Sequence, residues 1–461
     1  MYSSISLLAA AASLLTLSAP VLSFTSYAND FIDPKLILSK DFSNVTVDAQ
    51  ATILAWADEL AAEGPWSVMN KTYAAPSGNK HDYMSWAPYW WPDCSKVGNT
   101  TELTPQQIWV TCPYVVKDGQ FNPDGRTVDD VGEFDDIANA ILYNALAWAL
   151  TGTSEYSSRV AQYVSVWFLD GDTAMTPNLN YGQMQRGPTG QNGTHTGILD
   201  LKCMAKVVSV VLLLREGKAA EWTSDIDAGL TNWTTSYIQW LTGAGIALEE
   251  KAAPNNHGTF YYNQLAALQI LVGDTTGANQ TLHEYFTTQY QWQIAANGDQ
   301  PLETARTRPY HYRAYNLAAM ITNAKLGEYL GYSVWNLTTG KGTTIKDALD
   351  YAITLSPGNE TADELWPNVV AVGAVYGDPD GSLSNFMSQH AGSSYPSDAQ
   401  FLWNQPFSDS GFVAASKNAS DNAGAAQHSG TGNGAARLCR GVWETFAMGF
   451  PGAILTLLLA A

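Results

Sequence analysis

Between Pro254 and Met320 two short polar clusters interrupt apolar sequence. The first is Asn255-Asn256-His257. The second runs from Arg306 through Arg308, Pro309, Tyr310, His311 and Tyr312 to Arg313. An amide, an imidazole, guanidinium groups and a phenol can together grip a carboxylate and move a proton. Each cluster stands where a helix should start. An Asn ahead of Phe260, Tyr261, Leu265 and Leu268 suits an N-cap, and Pro309 suits the first position of a second helix. Side chains at helix starts reach out of a packed body, so the rest of the chain is read as the scaffold that brings the two clusters together.

Plainer readings exist for each residue. A His after Asn-Asn serves as a cap or hydrogen-bonded group more often than as a catalyst. A Tyr within Tyr310–Tyr315 is commonly core. Arg306 and Arg308 could pair with Glu303 or with helix-end carbonyls. Tyr83, Trp90 and Trp91 could be packing or flat platforms for sugars.

The apolar helical patterns that must position these groups follow one another along the chain. They cover 47–62, 135–150, 160–169, 199–215, 226–241, 260–271, 281–296, 310–330, 345–355 and 363–376. Strand signals are sparse. Residues 80–94, with two prolines and five aromatics, and 175–195, rich in Gly, Asn and Pro, read as long ordered loops. Helix after helix argues an all-α fold, and successive helical hairpins can close into an α/α toroid. An open α-solenoid is the alternative.

The chain has 461 residues, 46% apolar and 14% charged, enough for a large core. A net charge of −20 argues against nucleic acid or an anionic membrane surface as partner. It also requires that a polyanionic substrate meet a locally basic strip, drawn from Lys80, Arg186, Arg306, Arg308 and Arg313. Residues 1–23 have the layout of a secretory signal peptide, with an uncharged apolar run too short to span a bilayer. Nine Asn-x-Ser/Thr sites follow, which favours a secreted glycoprotein. Cys94 and Cys112, in loop-like sequence, are expected to pair in an oxidising compartment, and Cys203 to be buried. Residues 24–415 read as one catalytic-size domain, 416–436 as a small-residue tract and 437–461 as a hydrophobic tail. Tract and tail match a GPI-anchor signal, with a final core helix after a loop as the alternative. The anchor reading would remove Cys439.

Four stretches in this order are similar to the alginate-lyase-like polysaccharide lyases: His-Asp-Tyr-Met-Ser-Trp-Ala-Pro-Tyr-Trp-Trp-Pro-Asp (81–93), Thr-Pro-Asn-Leu-Asn-Tyr-Gly-Gln (176–183), Asn-Asn-His-Gly-Thr-Phe-Tyr-Tyr-Asn-Gln (255–264) and Glu-Thr-Ala-Arg-Thr-Arg-Pro-Tyr-His-Tyr (303–312). The resemblance spans most of the chain. It implies a single-domain α/α toroid that cleaves an acidic polysaccharide without a cofactor, with catalytic Asn256, His257, Arg306 and Tyr312. It also points to substrate contacts from Lys80, Tyr83, Trp90, Gln183 and Arg308. The Arg-to-Tyr spacing is one shorter than in typical bacterial alginate lyases, and Arg313-Ala314 follow Tyr312. Both features look more like the fungal and gut-bacterial branch that includes glucuronan-cleaving members.

The implied reaction is β-elimination at a uronate. C5–H is a weak acid, removable only if charge flowing onto the carboxylate is stabilised. Asn256 and Arg306 would donate to that carboxylate, and His257 would donate or act as base. With H5 and O4 on one face, Tyr312 could take the C5 proton and return it to O4. A phenol of pKa about 10 must be depressed for that, and Arg306, Arg308 or Arg313 are expected to do so. The rival from residues alone is a glycoside hydrolase on a helical toroid, with its carboxyl pair among Asp135, Asp136 and Glu303. A non-catalytic glycan-binding wall protein is a third reading.

Overall fold

In the computed structural model, residues 29–98 and 103–404 are described. The signal-peptide, small-residue-tract and C-terminal-tail readings, and Cys439, lie outside them. Short α1 (Pro34–Leu38) precedes α2 (Val47–Glu63) and α3 (Pro105–Thr111). Next come α4 (Asp130–Thr151), α5 (Ser154–Val164), α6 (Met204–Glu216), α7 (Ser224–Gly243) and α8 (Gly245–Lys251). The series continues with α9 (Asn256–Leu271), α10 (Thr275–Thr287), α11 (Tyr290–Gln293), α12 (Pro301–Thr304) and α13 (Pro309–Tyr329). It closes with α14 (Ile345–Ala352), α15 (Trp366–Tyr376) and α16 (Ser382–His390).

Helices α4, α6, α9, α13 and α15 pack one on the next as an inner ring, and α2, α5, α7, α10 and α14 lie against its outside. The turns at 392–401 return to pack on α2, so the end of the domain meets its beginning. Asp30 ties the same seam, accepting from Trp403 Nε1 at 2.7 Å and from Lys325 Nζ at 2.8 Å. The fold is an all-α, single-domain α/α toroid. Among the described residues no helix is long and apolar enough to cross a membrane.

Inner helices are enclosed on most sides, so they carry little amphipathic contrast. Helix α9 buries every residue except His257 and Gln269. The local signals act as their chemistry requires. Asn255 caps α9 by accepting from the His257 N–H at 3.3 Å. Pro309 opens α13. The Glu360 carboxylate caps the same start, taking the Tyr310 and His311 N–H groups at 3.0 and 2.9 Å. Gly258 is required by close approach: a Cβ there would stand 2.1 Å from the Ala253 carbonyl oxygen. Helix α10 begins six residues before its apolar pattern because Asp274 caps it, accepting from the Gly277 N–H at 2.9 Å. The pattern over 199–215 divides instead into a 3-10 turn, His195–Leu201, and α6.

The two long loops hold three short strands, and a fourth lies between α3 and α4. Strand β1 (Met84–Trp86) pairs in parallel with β4 (Tyr181–Met184), and β2 (Trp90–Pro92) pairs antiparallel with β3 (Tyr114–Val116). The Cys94–Cys112 disulfide links the segment after β2 to the residue group before β3, and Cys203 is buried, its Sγ donating to Asp135 Oδ1 at 3.3 Å. These strands carry aromatic residues to the mouth of the helical ring.

Candidate active site

One cavity of about 260 Å³ is walled by the starts of α9 and α13 on one side and by the stranded loops on the other. Asn256, His257, Arg306, Tyr312, Trp90 and Gln183 all line it. They come from four separate stretches of chain and meet in one cleft.

The Tyr312 side of the cleft is organised around one guanidinium. Arg306 Nη2 donates to Tyr312 Oη at 3.0 Å and to Asp118 Oδ1 at 3.0 Å, and the guanidinium carbon lies 4.0 Å from the Tyr312 ring centre. Tyr89 Oη is 3.2 Å from Tyr312 Oη. Asp118 is carried on the turn after β3 by Gly119, whose φ of +72° needs a residue without Cβ. A Cβ at Gly119 would also meet Thr307 Oγ1 at 2.4 Å. Tyr312 is buried, and burial pushes its phenol above the usual range, outweighing the pull of Arg306. The depression expected from neighbouring arginines is therefore not found. Asp118 and its carboxylate neutralise part of the positive field, and burial does the rest.

The His257 side is organised around a buried carboxylate. Glu250, at the end of α8, accepts His257 Nδ1 at 2.7 Å on one oxygen and His195 Nδ1 at 2.6 Å on the other. A carboxylate only accepts, so both rings carry their proton on Nδ1, and His257 turns Nε2 to the cleft. Burial alone would raise the Glu250 carboxyl, but His257 and His195 hold it below the usual range. The hydrogen bond to Glu250 in turn raises His195. The donor atoms of these three residues lie within 4.8 Å of one another, close enough to hold a cation. Their N···O separations of 2.7 and 2.6 Å are hydrogen-bond lengths, and the three form a hydrogen-bonded triad.

Asn256 is fixed from below. Its backbone N–H donates to Glu303 Oε1 at 2.7 Å and its Nδ2 donates to Glu303 Oε2 at 2.6 Å. One amide N–H is thus committed and the other remains. Burial raises the Glu303 carboxyl despite these bonds.

The remaining predicted contacts divide. Trp90 stands at the rim on β2. Gln183 adopts φ +43° on β4, its side-chain amide donates to Asp200 Oδ1 at 2.8 Å, and its backbone N–H donates to Ser85 Oγ at 2.7 Å. Tyr83 does not line the cleft: it is fully buried and donates to Asp200 Oδ2 at 3.1 Å, supporting Gln183 from behind. Lys80 is exposed and off the cleft. Arg308 also stands behind the wall, paired with Glu364 at 3.1 Å. Of the residues expected to form a locally basic strip, Arg306 lines the cleft, paired with Asp118, and the others stand off it. Arg186 is buried in a two-bonded pair with Asp124 and sandwiched by Trp86 and Tyr114, and Arg313 pairs with Asp299. A low-dielectric wall cannot hold unpaired guanidinium groups cheaply, so each carries its own acid.

None of Asp135, Asp136 and Glu303 lines the cleft. The carboxylates that do, Asp118 and Asp200, are taken up by Arg306 and by the Gln183 support. The paired-carboxyl arrangement a glycoside hydrolase needs is not built from these residues.

A family model described as alginate lyase matches residues 67–362, which hold every residue of this cleft. The chain belongs to the alginate lyase family. It is a polysaccharide lyase. Among solved structures it is similar to an alginate lyase from Bacteroides ovatus, at 28% identity and TM-score 0.72, covering 82% of this chain and 99% of that one. Alginate lyase A1-III from Sphingomonas species A1 matches at 13% identity and TM-score 0.43, over 77% of this chain and 91% of that one. Comparison with curated proteins gave no match. Sequence reasoning on this lyase missed Tyr89, Asp118, Glu250 and His195. Tyr89 lies inside the quoted 81–93 stretch, and its position beside Trp90 was the available signal.

Proposed function

We propose that this lyase cleaves a polyuronate, of the polymannuronate or glucuronan type, by β-elimination. The observation that carries the reading is the shared Arg306 guanidinium, 3.0 Å from Tyr312 Oη, in the same cleft as Asn256 and His257. The uronate carboxylate is received by Arg306 and the free N–H of Asn256, which together accept the charge that leaves C5; His257 joins them as a donor only when its Nε2 also carries a proton, and otherwise stands beside them as a base. Tyr312 takes the C5 proton as the C5–H pair becomes the new C4–C5 double bond. The C4–O4 bond breaks and the phenol returns the proton to O4. The C4–O4 electron pair and the proton leave with the glycosidic oxygen, which becomes the new reducing end of the neighbouring sugar, and the C5–H pair remains as the double bond of the unsaturated uronate.

A screen of purified protein on polymannuronate, polyguluronate and glucuronan, followed by the absorbance of the conjugated product, tests this. A rise on one or more of them is expected. New reducing ends without absorbance would indicate hydrolysis, and binding without either would indicate a glycan-binding protein.

Secretion is part of the same reading. Of the seven described Asn-x-Ser/Thr asparagines, Asn44, Asn70, Asn192, Asn232, Asn336 and Asn359 are exposed and Asn279 is half-buried, so all could carry glycan. The chain is expected outside the cell, held there by a GPI anchor. Mass spectrometry of the mature protein tests the anchor: an intact peptide from 437–461 would exclude it.

A further inference from the structure

Two imidazoles line the cleft, and the elimination uses one. The second is His311, in the first turn of α13. It is 4% exposed, so what it shows, it shows to the cleft. Its Nδ1 is 2.5 Å from Glu364 Oε2, and Glu364 Oε1 accepts from Arg308 at 3.1 Å. A carboxylate shared with an arginine accepts rather than donates, so the His311 proton sits on Nδ1. Nε2 is then a lone-pair acceptor, and no hydrogen-bond partner for it lies among the described residues. The ring cannot turn away. It stacks on Tyr315 at 5.5 Å and 19°, and its edge meets Tyr312 at 4.8 Å and 69°.

We propose that His311 is a specificity-determining residue whose Nε2 accepts a hydrogen bond from the C2 hydroxyl of the uronate presented to Tyr312. This rests on the polyuronate reading above. A lone-pair acceptor backed by Glu364 and Glu360 repels a carboxylate, and Arg306 and Asn256 already claim that group. A hydroxyl is the group on a uronate that can donate to it. The position beside the Tyr312 ring places the acceptor within reach of the same pyranose. Mannuronate and glucuronate differ only in whether the C2 hydroxyl is axial or equatorial. A fixed acceptor in a dry wall therefore distinguishes them, because the wrong epimer leaves a buried polar group unpaired.

The test compares kcat/KM on polymannuronate and on glucuronan for the wild type, His311→Ala and His311→Gln, with thermal melting as the folding control. The wild type should prefer one polymer. His311→Ala should lose roughly ten- to a hundredfold on that polymer and far less on the other, so the ratio collapses. His311→Gln, which keeps an acceptor oxygen, should retain part of the preference. An unchanged ratio in a folded variant, or a wild type without preference, overturns the proposal. If both variants fail to fold, wild-type kinetics on 2-deoxy and 3-deoxy oligouronates decide: the 2-deoxy substrate should be cleaved at least about tenfold more slowly than its parent, and an equal rate, or a loss on the 3-deoxy substrate alone, overturns the proposal. A wild type inert on every polyuronate would instead overturn the lyase substrate reading and leave no ambiguity about which step failed.

Discussion

Arg306 touches Tyr312 twice, through a 3.0 Å hydrogen bond to its hydroxyl and through its guanidinium lying 4.0 Å from the ring centre. The group that receives the substrate carboxylate is therefore the group that sets the proton carrier. Charge arriving on one is felt by the other, which links substrate binding to the chemistry.

Tyr312→Phe separates these roles. The ring and its face toward Arg306 remain, while the hydroxyl bonds to Arg306 and Tyr89 are lost. Stability should fall by about 1 kcal/mol. Elimination should fall about 10²–10⁴-fold or more, in kcat rather than KM. Product absorbance on the preferred polymer checks it, and near-wild-type turnover in a folded protein would sink the mechanism.

The pH profile follows from the burial of Tyr312, which holds its phenol above the usual value of about 10. If the phenolate is the base, the basic form is scarce at neutral pH. The sign is then fixed: kcat/KM climbs as pH rises toward that raised value, by about tenfold per unit. A profile that falls on the alkaline side from pH 7 would place Tyr312 as acid only and move the base to His257.

Much of this site was legible from local chemistry. Asn255 as cap, Pro309 as helix opener and the Cys94–Cys112 pairing each depend on near neighbours, and the structure has all three. The groups that tune the site were not legible, because they come from far along the chain. Asp118 meets Arg306 across 188 residues, and Tyr89 meets Tyr312 across 223. Strands β1 and β4 are too short to leave an alternating pattern, and their pairing joins two loops. The predicted contacts Tyr83 and Arg308 stand behind the wall for a related reason: Tyr83 bonds to the cleft residue Asp200, and Arg308 bonds to Glu364, which holds the cleft residue His311.

Glu250 acts on activity and stability together. Glu250→Gln must donate to one imidazole where the carboxylate accepted, which forces that ring into the other tautomer. Activity should drop about ten- to a thousandfold, mostly in kcat. The stability signs oppose. Glu250, depressed when folded, stabilises above about pH 4.3 and loses this as pH falls through its lowered value. His195, raised when folded, stabilises below about pH 6.5 and loses this as pH rises through its raised value. The melting-temperature gap between wild type and Glu250→Gln should therefore be widest near pH 5–6 and narrow on both sides. A gap that is flat with pH would separate Glu250 from this linkage.

Asp118 holds the place on Arg306 that a substrate carboxylate must take, at 3.0 Å from Nη2 and about one-third exposed on its turn. Binding of a polyuronate thus exchanges one carboxylate for another. Asp118→Asn removes the resident charge while keeping the shape of the turn and its contact to Thr307. Two effects should appear together. KM should fall several-fold, since Arg306 no longer gives up an ion pair to bind substrate, and its dependence on salt should steepen because one more uncompensated cation meets the polyanion. The carboxylate of Asp118 also pushes the Tyr312 phenol up, so its loss should move the rising limb of the pH profile to lower pH. Kinetics at two salt concentrations across the pH range measure both at once. A variant with unchanged KM and an unmoved limb would show that Asp118 only shapes its turn, and that Arg306 in the working enzyme is free of it.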